Sequence, residues 1–253
     1  MRRFVYWYVP VLVAITATAL FATGFYAFMR GDIGTPVDLI PRKSAPIPAV
    51  QQTTIVPIIL GDSLARGTGD GAGLGIGGRL DQELRKRNVR AKRTVNIAVN
   101  GARTADLLRQ IESHNVQTIL GQSNVIVVSI GGNDLWGGTD WRNAPPPNPA
   151  TVMNGVLDRM EKVVRSIRAD NARARIFIIG LYNPFSSTPF GRQLTPLVNR
   201  WNAKLIERFS DDVNITVVQT SDIFADHDRL SFDRFHPGDE GYALIARRIA
   251  DAI

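Results

Sequence analysis

Four short blocks of this sequence contain residue types that could carry out nucleophilic chemistry. They supply a serine, a glycine, an asparagine and an Asp/His pair: Ser63, Gly101, Asn133, Asp233 and His236. A serine hydroxyl becomes a nucleophile when a histidine accepts its proton, and a carboxylate can hold that histidine in the required tautomer. Because Asp233 precedes His236 by three residues, about one turn of chain, we expect these two side chains to meet.

The same blocks offer donors for the oxyanion that forms during acyl transfer. The candidates are the backbone N–H groups of Ser63 and Gly101 and the side-chain amide of Asn133. A glycine at 101 has no Cβ to crowd a backbone amide against a substrate. Taken singly, each block has a simpler explanation as a turn serine, a loop asparagine or a helix-capping aspartate. Their joint position after apolar runs favours a serine hydrolase.

Five short β-branched runs are predicted to form the strands that position these blocks. They are nearly continuous in apolar residues, as in a parallel sheet buried on both faces, and lie at 54–60, 94–99, 124–130, 175–181 and 214–219. Helical periodicity separates them, at 77–88, 104–113, 151–169 and 192–209, with a last helix from about Asp239. This alternation predicts an α/β fold, a three-layer α/β/α sandwich around a five-stranded parallel sheet, with ligands bound at the carboxyl ends of the strands.

The four blocks resemble the motif blocks of the SGNH, or GDSL, hydrolase family: GDSL at 61–64, NIAVNG at 96–101, GGND at 131–134 and DRFH at 233–236. The resemblance extends over residues 53–253 in the family's order. It implies a flavodoxin-like sheet, with Ser63 as the nucleophile, His236 as the base and Asp233 as its partner. It also implies an oxyanion hole completed by Gly101 and Asn133.

Two further segments, GLYNPF at 180–185 and WN at 201–202, resemble a bacterial lipase/acylhydrolase-like subgroup that often carries an N-terminal anchor. The family includes lipases, lysophospholipases, thioesterases, arylesterases and carbohydrate O-acetylesterases. The resemblance therefore implies ester hydrolysis and leaves the substrate open.

Composition restricts the chemistry further. The chain has 253 residues, a formal net charge of +7 and no cysteine, which excludes a cysteine nucleophile and any thiolate metal site. Its three histidines form no H-x-H or H-E-x-x-H pattern, so we expect no metal and no cofactor. The charge beyond the N-terminal flank is spread along the chain without a basic cluster interleaved with aromatics. No nucleic-acid partner is therefore expected.

Two competing motifs are rejected. Residues 73–78 fit G-x-G-x-x-G, but this pattern starts 13 residues after the first predicted strand and has no acid about 20 residues on. We predict a flexible loop at 66–78, beside Ser63. The G-x-S-x-G signature of α/β-hydrolases is missing because Ala65 stands where its second glycine is required.

The N-terminus predicts a membrane anchor. Residues 4–29 contain no charged side chain. This uncharged stretch is longer than the ~20 residues that span a bilayer and longer than the ~7–15 apolar residues of a signal-peptide core. We predict a transmembrane anchor at 1–30, a proline-rich linker at 31–52 and a hydrolase domain at 53–253. A signal peptide cut after Ala19 or Ala22 is the alternative. Arg2 and Arg3 favour an inside N-terminus, which would place the domain on the extracytoplasmic side.

The sequence thus predicts a membrane-tethered serine esterase with two open substrate classes. The tether and the apolar loops favour lipid or thioester acyl chains. Trp136 and Trp141, in the loop 136–150, could line the pocket, where they would stack on a sugar or form an acyl groove, or they could pack under the loop. Stacking on a sugar would favour O-acetyl groups on envelope polysaccharide. The same alternatives, lining the pocket or packing under the loop, apply to Phe185 and Phe190 in the loop 183–191. A non-catalytic envelope binding protein is the alternative of a different class, and the oligomeric state is not predicted.

Overall fold

The computed structural model describes residues 2–30, 53–136 and 149–253, in two units that divide between Gln51 and Gln52. The first unit contains one helix, α1 (Arg2–Arg30). The second contains every strand among the described residues. The predicted linker at 31–52, and Trp141 with the proline run that follows it, lie outside the described residues.

Helix α1 is long and apolar enough to cross a bilayer. Its span Trp7–Arg30 has 24 residues, and an 18-residue window within it has a mean hydropathy of 1.9. At 1.5 Å per residue it measures about 36 Å, against a hydrocarbon core of about 30 Å. The hydroxyls of Thr16, Thr18 and Thr23 each donate to a backbone carbonyl four residues earlier, so these polar groups are satisfied within the helix. A signal sequence near an N-terminus has the same properties.

The second unit is built on a five-stranded parallel sheet. Its strands are β1 (Pro57–Gly61), β2 (Val95–Asn96), β3 (Val125–Ser129), β4 (Arg175–Ile179) and β5 (Ile215–Val218). They lie in the order β2-β1-β3-β4-β5, and every neighbouring pair is parallel. This is the flavodoxin-like order, and the predicted fold class is confirmed.

Helices cover both faces of the sheet. They are α2 (Ser63–Arg66), α3 (Gly75–Lys86), α4 (Thr104–Ile111), α5 (His114–Gln122), α6 (Gly132–Trp136), α7 (Pro149–Asp170), α8 (Pro189–Phe209) and α9 (Asp239–Asp251). Apolar residues of α4, α5, α7 and α8 pack on one face, together with Ile58 and Leu60 of β1. Those of α3 and α9 pack on the other face with Ile59. Successive strand residues alternate between the two layers, which explains why the strand sequences are apolar throughout.

Some strands begin or end at other residues than predicted, at points where side chains form hydrogen bonds with backbone groups. Strand β2 has two residues rather than the predicted six, and just after it the Asn96 side chain accepts the N–H of Ala98. Strand β1 begins at Pro57, since the N–H of Val56 donates to the side chain of Asn124. Helix α5 was not predicted.

The prediction of a flexible loop at 66–78 is wrong. Helix α3 begins within it, at Gly75. Before that, the side chain of Asp70 accepts hydrogen bonds from the N–H groups of Ala72 and Gly75 and forms an ion pair with Arg79. Asp70 is buried, so these contacts hold the segment 67–74 in one conformation.

Candidate active site

The ends of β1 and β3 approach closely where the site begins. Gly61, the last residue of β1, has a φ of +132°, and a Cβ there would lie 1.8 Å from the carbonyl oxygen of Ser129. Only glycine fits this position. The chain then turns at Asp62 into α2, which places Ser63 at the first position of that helix and at the carboxyl edge of the sheet.

Ser63, His236 and Asp233 form one chain of hydrogen bonds. The Oγ atom of Ser63 lies 2.8 Å from Nε2 of His236, and Nδ1 of His236 lies 2.6 Å from Oδ2 of Asp233. The structure thus joins a hydroxyl, an imidazole and a carboxylate that are separated by up to 173 residues in sequence. In this arrangement the imidazole can accept the proton of the Ser63 hydroxyl while the carboxylate stabilises the resulting imidazolium.

A tight turn holds Asp233 against His236. The other carboxylate oxygen, Oδ1, accepts the backbone N–H groups of Phe235 and His236 and the hydroxyl of Ser231. Arg234, at the centre of this turn, has a φ of +56°. Burial acts to raise the pKa of Asp233, but the hydrogen bonds from His236, Ser231 and the two backbone amides hold that pKa well below its usual range. Asp233 is therefore ionised at neutral pH.

A second carboxyl group lies directly beside the serine. Asp62 is buried, and its side chain accepts the N–H of Leu64 and so caps α2. Its Oδ1 also lies 3.5 Å from the hydroxyl of Ser129. These hydrogen bonds act to lower the pKa of Asp62, but burial outweighs them and raises that pKa to about 7. The sequence analysis did not single out Asp62, although an aspartate just before a helix is a recognisable capping signal.

The candidate oxyanion donors lie around Ser63 at different depths. Asn133 lies on α6 and lines the cleft above Ser63, and its Nδ2 donates to the carbonyl of Ala102, which fixes the orientation of the amide. Gly101 is exposed and is not among the residues that line the cleft. The backbone N–H groups of Ser63 and Gly101 donate to no acceptor among the described residues.

Gly101 is required for its backbone conformation. Its φ is +77°, and a Cβ added there would meet no protein atom within 4 Å. The left-handed conformation is thus an intramolecular reason for glycine at this position, besides the clearance for a substrate that the sequence suggested.

The cleft beside Ser63 is mostly apolar and small. Beyond the polar groups already described, its walls are formed by Leu181, Pro184, Phe185, Leu194, Val198 and Phe235. The rings of Phe185 and Phe235 are 5.9 Å apart. Of the two predicted roles of Phe185, the structure therefore shows the one at the cleft wall. The enclosed volume is about 60 Å³, which is room for only a few water molecules.

The segment 67–74 supports the turn that carries the histidine. A Cβ on Gly69, whose φ is +96°, would lie 2.7 Å from the carbonyl oxygen of Pro237 and 2.9 Å from Cβ of His236. The same segment is held by Tyr242, whose hydroxyl donates to the carbonyl of Thr68, and by Asp239, which accepts the N–H of Gly71. The backbone of the segment is therefore packed directly against the histidine turn.

Several supporting residues were missed by sequence reasoning. Ser231, Asp70, Arg79 and Tyr182 each hold a loop of the site, the last through a hydrogen bond from its hydroxyl to the carbonyl of Phe235. Some of their partners are distant in sequence, such as Asp239 for Arg79 and Phe235 for Tyr182. Ser231, two residues before Asp233, and Asp70, two residues before Ala72, had a local signal, because both residue types often bond to neighbouring groups in turns.

The other two histidines lie apart from this chain of hydrogen bonds. His114 is exposed at the start of α5. Nε2 of His227 lies 3.0 Å from the hydroxyl of Ser186. Within the ranges that the structure describes, no group of three His, Asp or Glu side chains is placed to hold a metal ion.

Comparison with known proteins gives consistent matches over the second unit. Residues 59–244 match the model of the GDSL-like lipase/acylhydrolase family. The uncharacterized protein YpmR of Bacillus subtilis is 31% identical over 207 residues, covering 79% of this chain and 81% of that protein. The spore germination lipase LipC of Bacillus licheniformis is 24% identical over 208 residues, covering 76% of this chain and 93% of the lipase.

Among solved structures, the fold is similar to that of the lipase Lip_vut3 from a goat rumen metagenome. The TM-score is 0.69 at 22% sequence identity, over 79% of this chain and 97% of that structure. At this level of identity the similarity shows a shared fold.

Proposed function

This chain belongs to the GDSL-like lipase/acylhydrolase family, and we propose that it is a serine esterase in which Ser63 is the nucleophile, His236 the general base and Asp233 its orienting carboxylate. The observation that carries the proposal is the continuous chain of hydrogen bonds from Ser63 Oγ through His236 to Asp233, at 2.8 and 2.6 Å.

The proposed reaction has two steps. Oγ of Ser63 attacks the ester carbonyl carbon while Nε2 of His236 takes the hydroxyl proton, and that proton then goes to the departing alcohol. Water, deprotonated by His236, attacks the acyl-enzyme and releases the carboxylic acid together with free Ser63. In both steps the N–H groups of Ser63 and Gly101 and the amide of Asn133 stabilise the oxyanion.

Because the wall of the cleft is apolar, the acyl group is the part of the substrate that we expect to bind there. Leu181, Leu194 and Val198 offer no hydrogen-bonding side chain, so they favour a hydrocarbon over a sugar at that position. The relative named as a spore germination lipase supports lipid esters in the same way. We therefore propose lipid or other acyl esters as the first substrate class.

A second candidate, removal of O-acetyl groups from a polysaccharide, is favoured by the size of the cleft. A cleft volume of about 60 Å³ suits an acetyl group better than a long chain. The two candidates share the same catalytic residues and differ only in the acyl length that is accepted.

We propose that α1 anchors the enzyme to a membrane, with the hydrolase unit on the extracytoplasmic side. The predominantly apolar span of 24 residues supports the anchor, and Arg2 and Arg3 before it support the orientation. Fractionation of cells that express the full chain, followed by protease treatment of intact cells, tests both points. Recovery of a shortened chain without α1 would instead identify a cleaved signal sequence.

The decisive experiment is hydrolysis of p-nitrophenyl esters, from acetate to long acyl chains, by the full chain in an uncharged detergent. Ser63→Ala and His236→Ala should each lower kcat by about 10⁴-fold or more, and the double variant should be little worse because the two residues act as a unit. Ser186→Ala, which alters the other Ser–His contact, should retain activity. Undiminished turnover by Ser63→Ala would overturn the proposal.

The chain-length profile of the same assay separates the substrate classes. A rate that rises from acetate to octanoate supports lipid acyl esters. A rate confined to acetate and propionate supports the O-acetyl candidate. Inactivity on every ester, with a folded protein, would favour a binding protein instead.

A further inference from the structure

A second cavity of the hydrolase unit is lined by cationic side chains. This basic groove, with a volume of about 640 Å³, runs between α3 and the segment 89–96. Its cations are Arg66, Arg85, Lys92 and Arg93, and its one carboxylate is Asp81. Binding sites for small molecules commonly measure 300–1,000 Å³, so the groove is large enough for a charged headgroup.

The positive charge of the groove is not neutralised within the protein. Among the residues that the structure describes, none of the four cations has an ion pair, whereas the neighbouring Lys86 and Arg87 are paired with Glu83 and Asp251. Both oxygens of the Asp81 carboxylate accept hydrogen bonds from Thr94 rather than from a cation. The groove therefore presents free N–H donors with a net positive charge, which is the chemistry that recognises phosphate.

The folding of the chain concentrates this charge. In sequence, six of the nine residues 85–93 are basic, a run that the overall composition does not reveal. Helix α3 and the segment after it are brought together by Asp81 and by Gly77, where a Cβ would lie 3.2 Å from Thr94. Arg66, from the far end of α2, adds its guanidinium to the groove.

The groove reaches the helix that carries Ser63. Asn96 lines the groove, and its Nδ2 donates to the carbonyl of Ala65, 2.8 Å away in α2. Ser63 begins this one-turn helix and Arg66 ends it. The groove therefore borders the helix that begins with Ser63.

We propose that the basic groove binds the phosphate group of an anionic lipid headgroup. The same chain carries a helix that can span a bilayer. The 22 residues between this helix and the hydrolase unit can extend over about 80 Å at most. Phosphate is the anion concentrated at such a surface, and basic residues near anionic lipids are attracted to them. Aromatic side chains, on which nucleic-acid bases would stack, are not among the groove residues in the described part of the chain.

Binding is tested with the full chain carrying Ser63→Ala, so that no lipid ester is turned over. The protein, in an uncharged detergent, is titrated with inorganic phosphate, with micelles containing phosphatidylglycerol and with micelles containing zwitterionic phosphatidylcholine. Calorimetry gives Kd in each case. Since the assay requires no catalysis, its result is independent of the proposed ester hydrolysis.

The groove variant is Arg85→Gln with Arg93→Gln. Its matched control is Arg173→Gln with Arg200→Gln, which removes the same charge from two exposed arginines without ion pairs in the described residues. We expect phosphatidylglycerol to bind more tightly than phosphatidylcholine. We also expect the groove variant to raise Kd roughly tenfold or more, and the control to change it less than twofold.

Three results would overturn the proposal: equal weakening in both variants, no change in either, or no preference for the anionic lipid. Binding of inorganic phosphate that the groove variant weakens, without any preference for phosphatidylglycerol over phosphatidylcholine, would overturn the lipid assignment and leave a site for free phosphate.

Discussion

At the scale of single residues, the site depends on carboxyl groups in two different protonation states. One carboxylate oxygen of Asp233 accepts three hydrogen bonds and the other is hydrogen-bonded to the ring of His236, so Asp233 stays ionised. Asp62 is more deeply buried, and burial outweighs its hydrogen bonds, so its pKa rises to about 7. The chemical difference between these two aspartates follows from burial and hydrogen bonding, not from residue type.

Asn133→Ala tests the proposed oxyanion donor. We expect kcat to fall by ~10²–10³, since one preformed hydrogen bond to the oxyanion is lost, while KM changes little. The free energy of unfolding should fall by about 1 kcal/mol because the hydrogen bond to Ala102 is also lost. Steady-state kinetics and thermal denaturation measure the two effects.

Asn100→Ala is the matched control for Asn133. Asn100 is exposed beside Gly101, and its side chain only accepts a hydrogen bond from Thr68. Its variant should keep kcat within about threefold of the parent, as expected for a surface position. If the two variants had the same kcat, Asn133 would have no role as a donor.

Asp62→Asn tests the buried carboxyl. The folded state holds a proton on Asp62 up to about pH 7, but the unfolded chain releases it near the ordinary value of 3.8. The folded state thus binds more protons between pH 4 and pH 7, and the free energy of unfolding should fall as pH rises through that window. Asparagine can still cap α2 but does not titrate, so the variant should show a smaller fall.

Denaturant unfolding of the full chain at pH 4, 5, 6 and 7 provides this measurement. The carboxylates with depressed pKa values, Asp70, Asp212, Asp222 and Asp233, lose their stabilising effect only as pH falls below about 4, outside the window. Asp226→Asn is the control, since Asp226 is an exposed aspartate that also caps a turn. A pH dependence in Asp62→Asn as steep as in the parent would contradict the assignment.

At the scale of elements, the segment 67–74 packs directly against the histidine turn. Asp70, Arg79 and Asp239 tie this segment to α3 and to the start of α9. Gly69 lets the segment touch His236 and Pro237. The position of the proposed base therefore depends on packing between two loops.

Gly69→Ala should displace the histidine turn, because its Cβ would lie within 3 Å of Pro237, Ser231 and His236. Gly73→Ala is the matched control: its φ of +68° is also left-handed, but no atom lies within 4 Å of the added Cβ. Both variants should lose about 1 kcal/mol of stability from backbone strain. Only Gly69→Ala should lower kcat/KM by about tenfold or more, which ester hydrolysis at pH 7.5 would measure. Equal activity of the two would show that the contact does not position His236.

At the scale of the whole molecule, the hydrolase unit has its own two-sided core and carries both the site and the basic groove. Apolar residues fill both faces of the sheet, and Trp201 and Tyr242 are almost fully buried, one on each side. We expect the two units to be separable.

Removal of residues 1–52 should leave a folded enzyme that lacks the proposed membrane-spanning anchor. Its kcat on p-nitrophenyl acetate should stay within about twofold of the full chain, because every side chain of the proposed site lies beyond residue 53. Circular dichroism and the ester assay on the soluble fraction give the answer. An aggregated or inactive product would show that the N-terminal residues are part of the folding unit.

The layers of the fold and the identity of the three proposed catalytic residues were predictable from sequence because both depend on local patterns. Short β-branched runs alternating with helical periodicity indicate a parallel sheet, and the blocks around Ser63, Asn133 and His236 follow those runs. The boundaries of β2 and the start of α3 were not predictable, since Asn96 and Asp70 form hydrogen bonds that override the local propensity.

Tertiary structure decided the properties that depend on residues distant in sequence. The burial that raises the pKa of Asp62, the contact of Gly69 with His236 and the small apolar cleft arise from the packing of separate loops. The sequence shows the basic groove around Arg85 only as a run of basic residues. The positions of Glu83 and Asp251 in the fold determine which of these cations form ion pairs and which stay unpaired. Periodicity along the chain determines which residues face the core, but only the folded chain determines which side chains and charges meet across it.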